Sequence, residues 1–191
     1  VLFSESRKVW GILFRVGFVV LLFSSLLYPF IMTLNKTNNF APQEWTLNGN
    51  AWLAQAAPDD AAAIAWLEKQ PMGVISEAVG GSYTPDSEWA AIQTGFPTVL
   101  GWPGHESQWR GGASEMGTRQ TDLQILYTTH SWEEALNIIQ TYRIRYIYIG
   151  NYERSSYAVY DQKFADAMSP AYQNATVTIY QVPAVLLQSE P

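Results

Sequence analysis

The chain has 191 residues, no cysteine and a formal net charge of −6 at pH 7. Its length suits one compact domain with an appendage, and the lack of cysteine excludes disulfides and zinc–thiolate sites. Residues 37–191 carry a net charge of −9, because seven basic residues stand against sixteen acidic ones. Nucleic-acid binding depends on lysine and arginine at phosphates, so this acidity argues against a nucleic-acid partner.

Near the amino terminus, residues 16–34 form an uncharged apolar run. Nineteen helical residues rise about 30 Å, the thickness of a bilayer's hydrocarbon core. We therefore predict a transmembrane helix within residues 1–36, with its span at about 10–34. Three basic residues precede the run and one follows it closely: Arg7, Lys8, Arg15 and then Lys36.

This charge bias predicts a single-pass protein of the cell membrane, with a short cytoplasmic amino terminus and an extracytoplasmic main domain. The lipid bilayer is then a partner of the chain. A secretory signal peptide has the same pattern and is the alternative, although no clear small-x-small cleavage site follows the run.

After the apolar run we expect a linker and membrane-proximal segment at 37–57, in which WTLNGNAWL (45–53) is a short strand or loop. A helix is predicted to begin at Pro58 and to stop before Pro71. The run MGVISEAV (72–79) predicts a buried strand. Further on, Ser131 and Glu134 have the spacing of a capping box before another helix.

That helix leads directly into the strand pattern IRYIYI, from Ile144 to Ile149. Ser155 or Ser156 is expected to cap a helix that carries Tyr157, Tyr160 and Phe164, and ATVTIYQV (175–182) predicts a final strand. Alternating helices and strands are typical of an α/β fold. We therefore expect a small α/β sandwich-like domain with a mostly parallel sheet at 58–183, and a tail at 184–191.

The interval from Tyr83 to Leu123 fits regular structure poorly, so a long aromatic-rich loop region is expected there. Its large aromatic side chains are expected to be buried somewhere in the fold: Trp89, Phe96, Trp102 and Trp109.

The motif GHESQWRG in this interval brings together His105, Glu106, Trp109 and Arg110. The group has three open interpretations: a metal site, a buried structural network, or a contact with a ligand. The spacing H-E-x-x-H of zinc proteases is missing, because Trp109 stands where the second histidine is needed. We expect no metal and no cofactor, and we consider Glu77 and Arg119 as neighbours from other segments.

A second candidate is the pair Glu153 and Arg154, which follows the predicted strand where open α/β sheets usually bind ligands. A salt bridge that closes the turn is the simpler interpretation. Arg110, Arg119 and Arg154 could converge on an anionic group such as a lipid phosphate, since guanidinium groups match phosphate oxygens.

Several segments together resemble the carboxy-terminal part of the YYY or DUF2298 family of polytopic membrane proteins. They are GGSYTPDSEWAAIQTGFPTVLGWPGHESQWR (80–110), RYIYIGNYER (145–154), TLNGNAWL (46–53), AAIAWLEK (62–69) and TVTIYQV (176–182). The family is grouped with GT-C-like membrane glycosyltransferases. The resemblance implies that the chain is the end of a longer protein that transfers sugar from a polyprenyl-phosphate donor.

In such enzymes the catalytic acid lies in an early loop between transmembrane helices, outside this chain. The resemblance therefore implies a supporting role for the extracytoplasmic domain. The alternative is a single-span accessory or structural subunit of a larger respiratory or photosynthetic membrane complex, with other membrane-protein subunits as partners.

Overall fold

The computed structural model describes residues 2–41, 46–84 and 87–187. The chain divides into two units, 1–47 and 48–191. The predicted boundaries at residues 36, 57 and 183 stay predictions. Parts of the expected linker (42–45) and of the expected tail (188–191) lie outside the described residues.

Most of the described part of the first unit is helix α1 (Leu2–Lys36), which continues through Pro29. Its stretch Arg7–Lys36 is long and apolar enough to cross a membrane, and no side chain in the apolar window is buried. The hydroxyls of Ser24 and Ser25 each donate at 2.8 Å to a carbonyl four residues back. A helix that is apolar all round and has its polar groups satisfied internally suits a lipid environment.

The second unit contains eight further helices and four strands within the described residues. The helices are α2 (Ala51–Ala56), α3 (Pro58–Leu67), α4 (Trp89–Thr94), α5 (Pro103–Trp109), α6 (Arg119–Thr128), α7 (Trp132–Tyr142), α8 (Asn151–Ser156) and α9 (Gln162–Ala167). The strands are β1 (Val74–Ser76), β2 (Ile144–Ile149), β3 (Pro170–Gln173) and β4 (Thr178–Gln181). Two short 3₁₀ helices span Ser114–Met116 and Ala184–Leu187.

The strands form one sheet in the order β1-β2-β4-β3. One face of the sheet packs with α6, α7 and α9 through a core that includes Ile147 and Ile149. The other face packs with α2, α3 and α4 through a core that includes Tyr146 and Tyr148. Successive side chains of β2 therefore pack on opposite faces of the sheet, as expected for a pleated strand. The predicted α/β class is confirmed.

The expectation of a mostly parallel sheet is wrong. Among the four described strands, only β1 and β2 pair in parallel, whereas β4 runs antiparallel to both β2 and β3. The reason is β3, which we did not predict from the sequence. It connects to β4 through a short turn in which the Asn174 amide donates to the Val177 carbonyl at 3.0 Å. A tight hairpin joins only antiparallel strands.

Three local predictions match the structure. Helix α3 begins at Pro58. The Ser131 hydroxyl accepts a hydrogen bond from the Glu134 amide and caps α7. Strand β2 spans Ile144–Ile149. These features depend on short-range signals, namely proline at the first helical position, a polar cap and a run of β-formers.

Three other local predictions are wrong. Ser155 and Ser156 end α8 instead of capping a helix, and Tyr157 and Tyr160 lie between α8 and α9. The expected strand or loop at 45–53 contains the start of α2, while Trp45 lies outside the described residues. The interval 83–123 is divided into α4, α5, a 3₁₀ helix and the start of α6, so it is not one long loop.

Candidate functional site

Helix α5 carries three of the predicted site residues, His105, Glu106 and Trp109, and Arg110 follows as its C-cap. It begins with Pro103 at its first position, after Trp102 in an extended conformation. Proline suits this position because its fixed φ is helical and its missing N–H would have no partner in the helix. The helix is followed by Gly111 at φ +75°, a left-handed conformation that favours glycine. Two turns of helix thus place His105 and Trp109 four residues apart on one face.

His105 lies at the centre of an aromatic group, which we call the α5 aromatic patch: Tyr83, Trp102, His105 and Trp109. Its imidazole stacks on the Trp109 ring at 5.1 Å between centroids, with 24° between the planes. The Tyr83 ring meets it edge-on at 4.8 Å. Trp109 is 78% exposed and Tyr83 is 77% exposed. The expectation that Trp109 is buried is therefore wrong, and the patch presents aromatic surface to solvent.

Beside this patch lies a cavity of about 200 Å³, which we call the arginine cavity. It is lined by Thr98, Val99, Leu100, Glu106, Arg110, Glu115, Met116 and Arg119. Arg110 Nε donates to Glu106 Oε2 at 2.5 Å, and its side chain remains 55% exposed. Arg119 Nη1 donates to the Met116 carbonyl at 3.1 Å. Two arginines and two glutamates therefore border one cavity.

Thr98 is a further polar residue at this cavity. Within the described part of the chain, its Oγ1 is buried without a hydrogen-bond partner.

Glu153 does not belong to the arginine cavity. Its side chain is 2% exposed and accepts hydrogen bonds from the Ala78 amide at 2.9 Å and from the Gly150 amide at 2.8 Å. Burial raises the pKa of Glu153, and the Ala78 and Gly150 amides oppose that rise. This carboxylate closes the turn between β2 and α8 and holds the end of β1 against it.

Arg154 also lies apart from Arg110 and Arg119. Its Nη1 donates to the Thr176 carbonyl at 2.6 Å and to the Ile149 carbonyl at 3.2 Å. It thereby connects the end of β2 to the loop before β4. The structure thus brings two of the three candidate arginines, Arg110 and Arg119, to one cavity. The third, Arg154, lies where the central strand β2 ends and the chain approaches β4.

Glu77, considered as a neighbour of His105, instead caps α4. Its carboxylate accepts from the Ala90 amide at 2.9 Å and from the Ala91 amide at 2.8 Å. Complete burial, together with the nearby Glu153 carboxylate, raises the pKa of Glu77 to about 8.

The sequence analysis missed the position of Glu88. This residue adopts a left-handed backbone at φ 62° before α4 and is buried, and its Oε1 has no partner among the described groups. Burial raises the pKa of Glu88 to about 7; the Gly80 amide opposes this rise and Glu106 adds to it. No sequence signal marks this position, because acids near a helix start are usually solvated.

Asp60 lies in the first turn of α3. It is buried, and the Tyr148 hydroxyl donates to its Oδ1 at 2.7 Å. Burial raises the pKa of Asp60, and the hydrogen bond from Tyr148 opposes the rise. Among the described residues, no group of three or more His, Cys, Asp or Glu side chains is arranged to hold a metal ion.

No family model and no curated protein matches the chain. The chain is similar to the crystal structure of the C-terminal globular domain of an oligosaccharyltransferase from Archaeoglobus fulgidus, with a TM-score of 0.42 and 15% sequence identity. The similarity covers 74% of this chain and 100% of that domain. The resemblance to the DUF2298 family stays a prediction.

Proposed function

We propose that the chain is a membrane-anchored, extracytoplasmic domain of a GT-C-like glycosyltransferase-type membrane protein. In this proposal the domain supports binding of a polyprenyl-phosphate sugar and does not catalyse transfer by itself. The observation that carries it is the adjacency on α5 of the arginine cavity and the α5 aromatic patch.

The two parts of this surface match the two parts of such a ligand. Guanidinium groups bind phosphate oxygens through paired, charge-assisted hydrogen bonds, and Arg110 and Arg119 border the cavity. Exposed aromatic rings such as Trp109 present flat apolar faces, and sugar rings stack on such faces. When the proposed ligand binds, Arg110 would leave its surface ion pair with Glu106 and contact the phosphate instead.

The proposed membrane location depends on α1. Its apolar window is long enough to cross a bilayer, and no side chain in it is buried among the described residues. A lipid-linked sugar has its phosphate at the membrane surface, where a tethered domain can reach it. The basic residues before the apolar run favour an extracytoplasmic position for the domain that follows it.

The supporting role is consistent with the structural use of two of the buried acids, Glu153 and Glu77. Glu153 and Glu77 each accept two backbone hydrogen bonds, which commits both carboxylates to the fold. Glu106 is bound to Arg110. No observation favours the alternative of an accessory subunit in a respiratory or photosynthetic complex.

The test uses the full chain in lipid nanodiscs and measures its binding to undecaprenyl-phosphate mannose. We expect Arg110→Gln to weaken binding about tenfold, because one charge-assisted hydrogen bond contributes about 1.5–3 kcal/mol. Trp109→Ala should weaken binding of the mannosyl lipid but not of undecaprenyl phosphate alone.

Lys69→Gln is the matched control, since Lys69 is an exposed basic residue outside the cavity. Equal binding by wild type and Arg110→Gln would refute the assignment of the site. Failure of the wild type to bind either lipid would refute the proposed function.

A further inference from the structure

A second pocket lies on a different part of the domain, where β2 ends and α8 begins. It has a volume of about 290 Å³ and is lined by Ala57, Asp60, Trp89, Asn151, Tyr152 and Ser155. None of these residues lines the arginine cavity. We call it the Trp89 pocket. We infer that the Trp89 pocket is a binding site for one neutral, hydroxyl-rich ring, such as a pyranose.

The position of the pocket follows from the fold. Open α/β sheets bind ligands beyond the carboxyl ends of their strands. Here β2 ends at Ile149, and Gly150 leads into α8, which supplies three of the lining residues. Helix α3 supplies Asp60 from the other side.

Glycine at position 150 allows these parts to approach. A Cβ on Gly150 would lie 3.2 Å from Asp60 Oδ1 and 2.9 Å from Tyr148 Cε1. Both contacts are tighter than ordinary packing, so a side chain here would push the Asp60 carboxylate away from the turn. The backbone therefore brings Asp60 and the start of α8 to a common wall of the pocket.

The lining chemistry favours a ligand with many hydroxyl groups. Asp60 is a buried carboxylate, and a carboxylate has about four acceptor positions, of which the Tyr148 hydroxyl takes one. The Asn151 amide can both donate and accept, as can the Tyr152 hydroxyl. The Ser155 hydroxyl donates to the Tyr152 carbonyl at 2.9 Å and can still accept. Neighbouring hydroxyls of a sugar ring likewise both donate and accept.

The ring of Trp89 supplies an aromatic surface in the same pocket. It is half-buried and is fixed by the Trp52 ring, which meets it edge-on at 5.6 Å between centroids. A rigid indole beside several polar groups suits a ring that has an apolar face and a polar edge.

Charge and size narrow the class of ligand. None of the lining residues is basic, and Asp60 is acidic, so an anionic ligand such as a phosphate is disfavoured. Binding pockets for small molecules span about 300–1,000 Å³, so this volume at the lower limit suits a single ring.

The experiment uses the full chain in lipid nanodiscs and saturation-transfer NMR with the methyl α-pyranosides of glucose, mannose and galactose. The test variant is Asn151→Ala combined with Ser155→Ala. Neither residue supports another element through its side chain in the described structure: Ser155 Oγ donates only to the nearby Tyr152 carbonyl. The matched control is Ser156→Ala, at a neighbouring exposed position outside the pocket.

We expect at least one pyranoside to bind the wild type and the control alike. The double variant should bind it about tenfold more weakly, because it lacks two hydrogen-bonding groups of modest strength. Asp60→Asn, which keeps an acceptor for Tyr148, should also weaken binding. Wild type that binds none of the pyranosides, or a double variant that binds as the wild type does, would overturn the inference.

Choline and inorganic phosphate serve as comparison probes in the same experiment. Saturation transfer to choline in preference to the pyranosides would instead identify a cation site and would refute the proposed class. The outcome of the pyranoside experiment is independent of the proposed function. The polyprenyl-phosphate test measures the effects of Arg110 and Trp109, and neither residue lines the Trp89 pocket.

Discussion

Glu153 accepts a hydrogen bond from the Ala78 amide at 2.9 Å, across 75 positions of the chain. Its second oxygen accepts from the Gly150 amide at 2.8 Å. One carboxylate therefore joins the segment after β1 to the turn after β2. These contacts give Glu153, which was predicted as a site residue, a structural role.

We expect Glu153→Ala to lower the free energy of unfolding by about 3–5 kcal/mol. The change leaves two backbone amides without their acceptor, and each unsatisfied buried group costs about 1–3 kcal/mol. Thermal or urea unfolding of the full chain in detergent, followed by tryptophan fluorescence, measures this effect. Glu133→Ala is the control, since this exposed acid should change stability by less than about 0.5 kcal/mol. A Glu153→Ala protein as stable as that control would contradict the structural role.

Glu88 should make stability depend on pH below neutrality. Its pKa is raised to about 7 in the folded protein from an ordinary value of 4.5, so the folded state holds a proton that the unfolded state releases. The contribution of Glu88 to the free energy of unfolding is fully present below pH 4.5 and is lost as the pH rises through 7. We expect the free energy of unfolding to fall over this interval.

Glu88→Gln should reduce that fall, because a neutral amide replaces the buried carboxyl. Glu77, with its pKa raised to about 8, should still lower stability as the pH rises towards 8 in both proteins. The measurement is the free energy of unfolding from pH 4.5 to 8 in wild type and variant. Parallel curves for the two proteins would exclude a buried, proton-holding Glu88.

Gly150→Ala should destabilise the domain by about 1–3 kcal/mol, the typical cost of overpacking. The backbone at φ −111° accepts any residue, so the cost comes from the close approach of Tyr148, Asp60 and Glu153. Gly49→Ala provides the contrast, because an added Cβ there meets nothing within 4 Å. The control change should be neutral or slightly stabilising through reduced freedom of the unfolded chain. Thermal unfolding midpoints that move in the same direction by the same amount would refute this explanation.

The contrast between Glu153 and Arg110 shows where sequence reasoning was insufficient. Glu153 was selected because it follows the predicted strand at 144–149, and Arg110 because it belongs to the GHESQWRG motif. The structure buries Glu153 among backbone amides and leaves the Arg110 side chain 55% exposed. Burial depends on packing between distant segments, and no local pattern around either residue reports it.

The sequence alone determined the features that depend on nearby residues. The apolar run gave α1, proline gave the start of α3, the Ser131 cap gave α7, and the β-forming run gave β2. In each case a period, a cap or a propensity acts within a few residues, so the signal is present in the chain before it folds.

Only the tertiary structure decided the direction of the strands, the burial of the acids and the grouping of the site residues. The antiparallel pairing of β2 with β4 joins segments about 30 residues apart along the chain, and the arginine cavity gathers residues from α5, α6 and the segments between elements. The same packing raises the pKa of Glu77 and Glu88 by removing their carboxyl groups from water. Such effects arise from desolvation and long-range contact, which exist only after distant parts of the chain have come together.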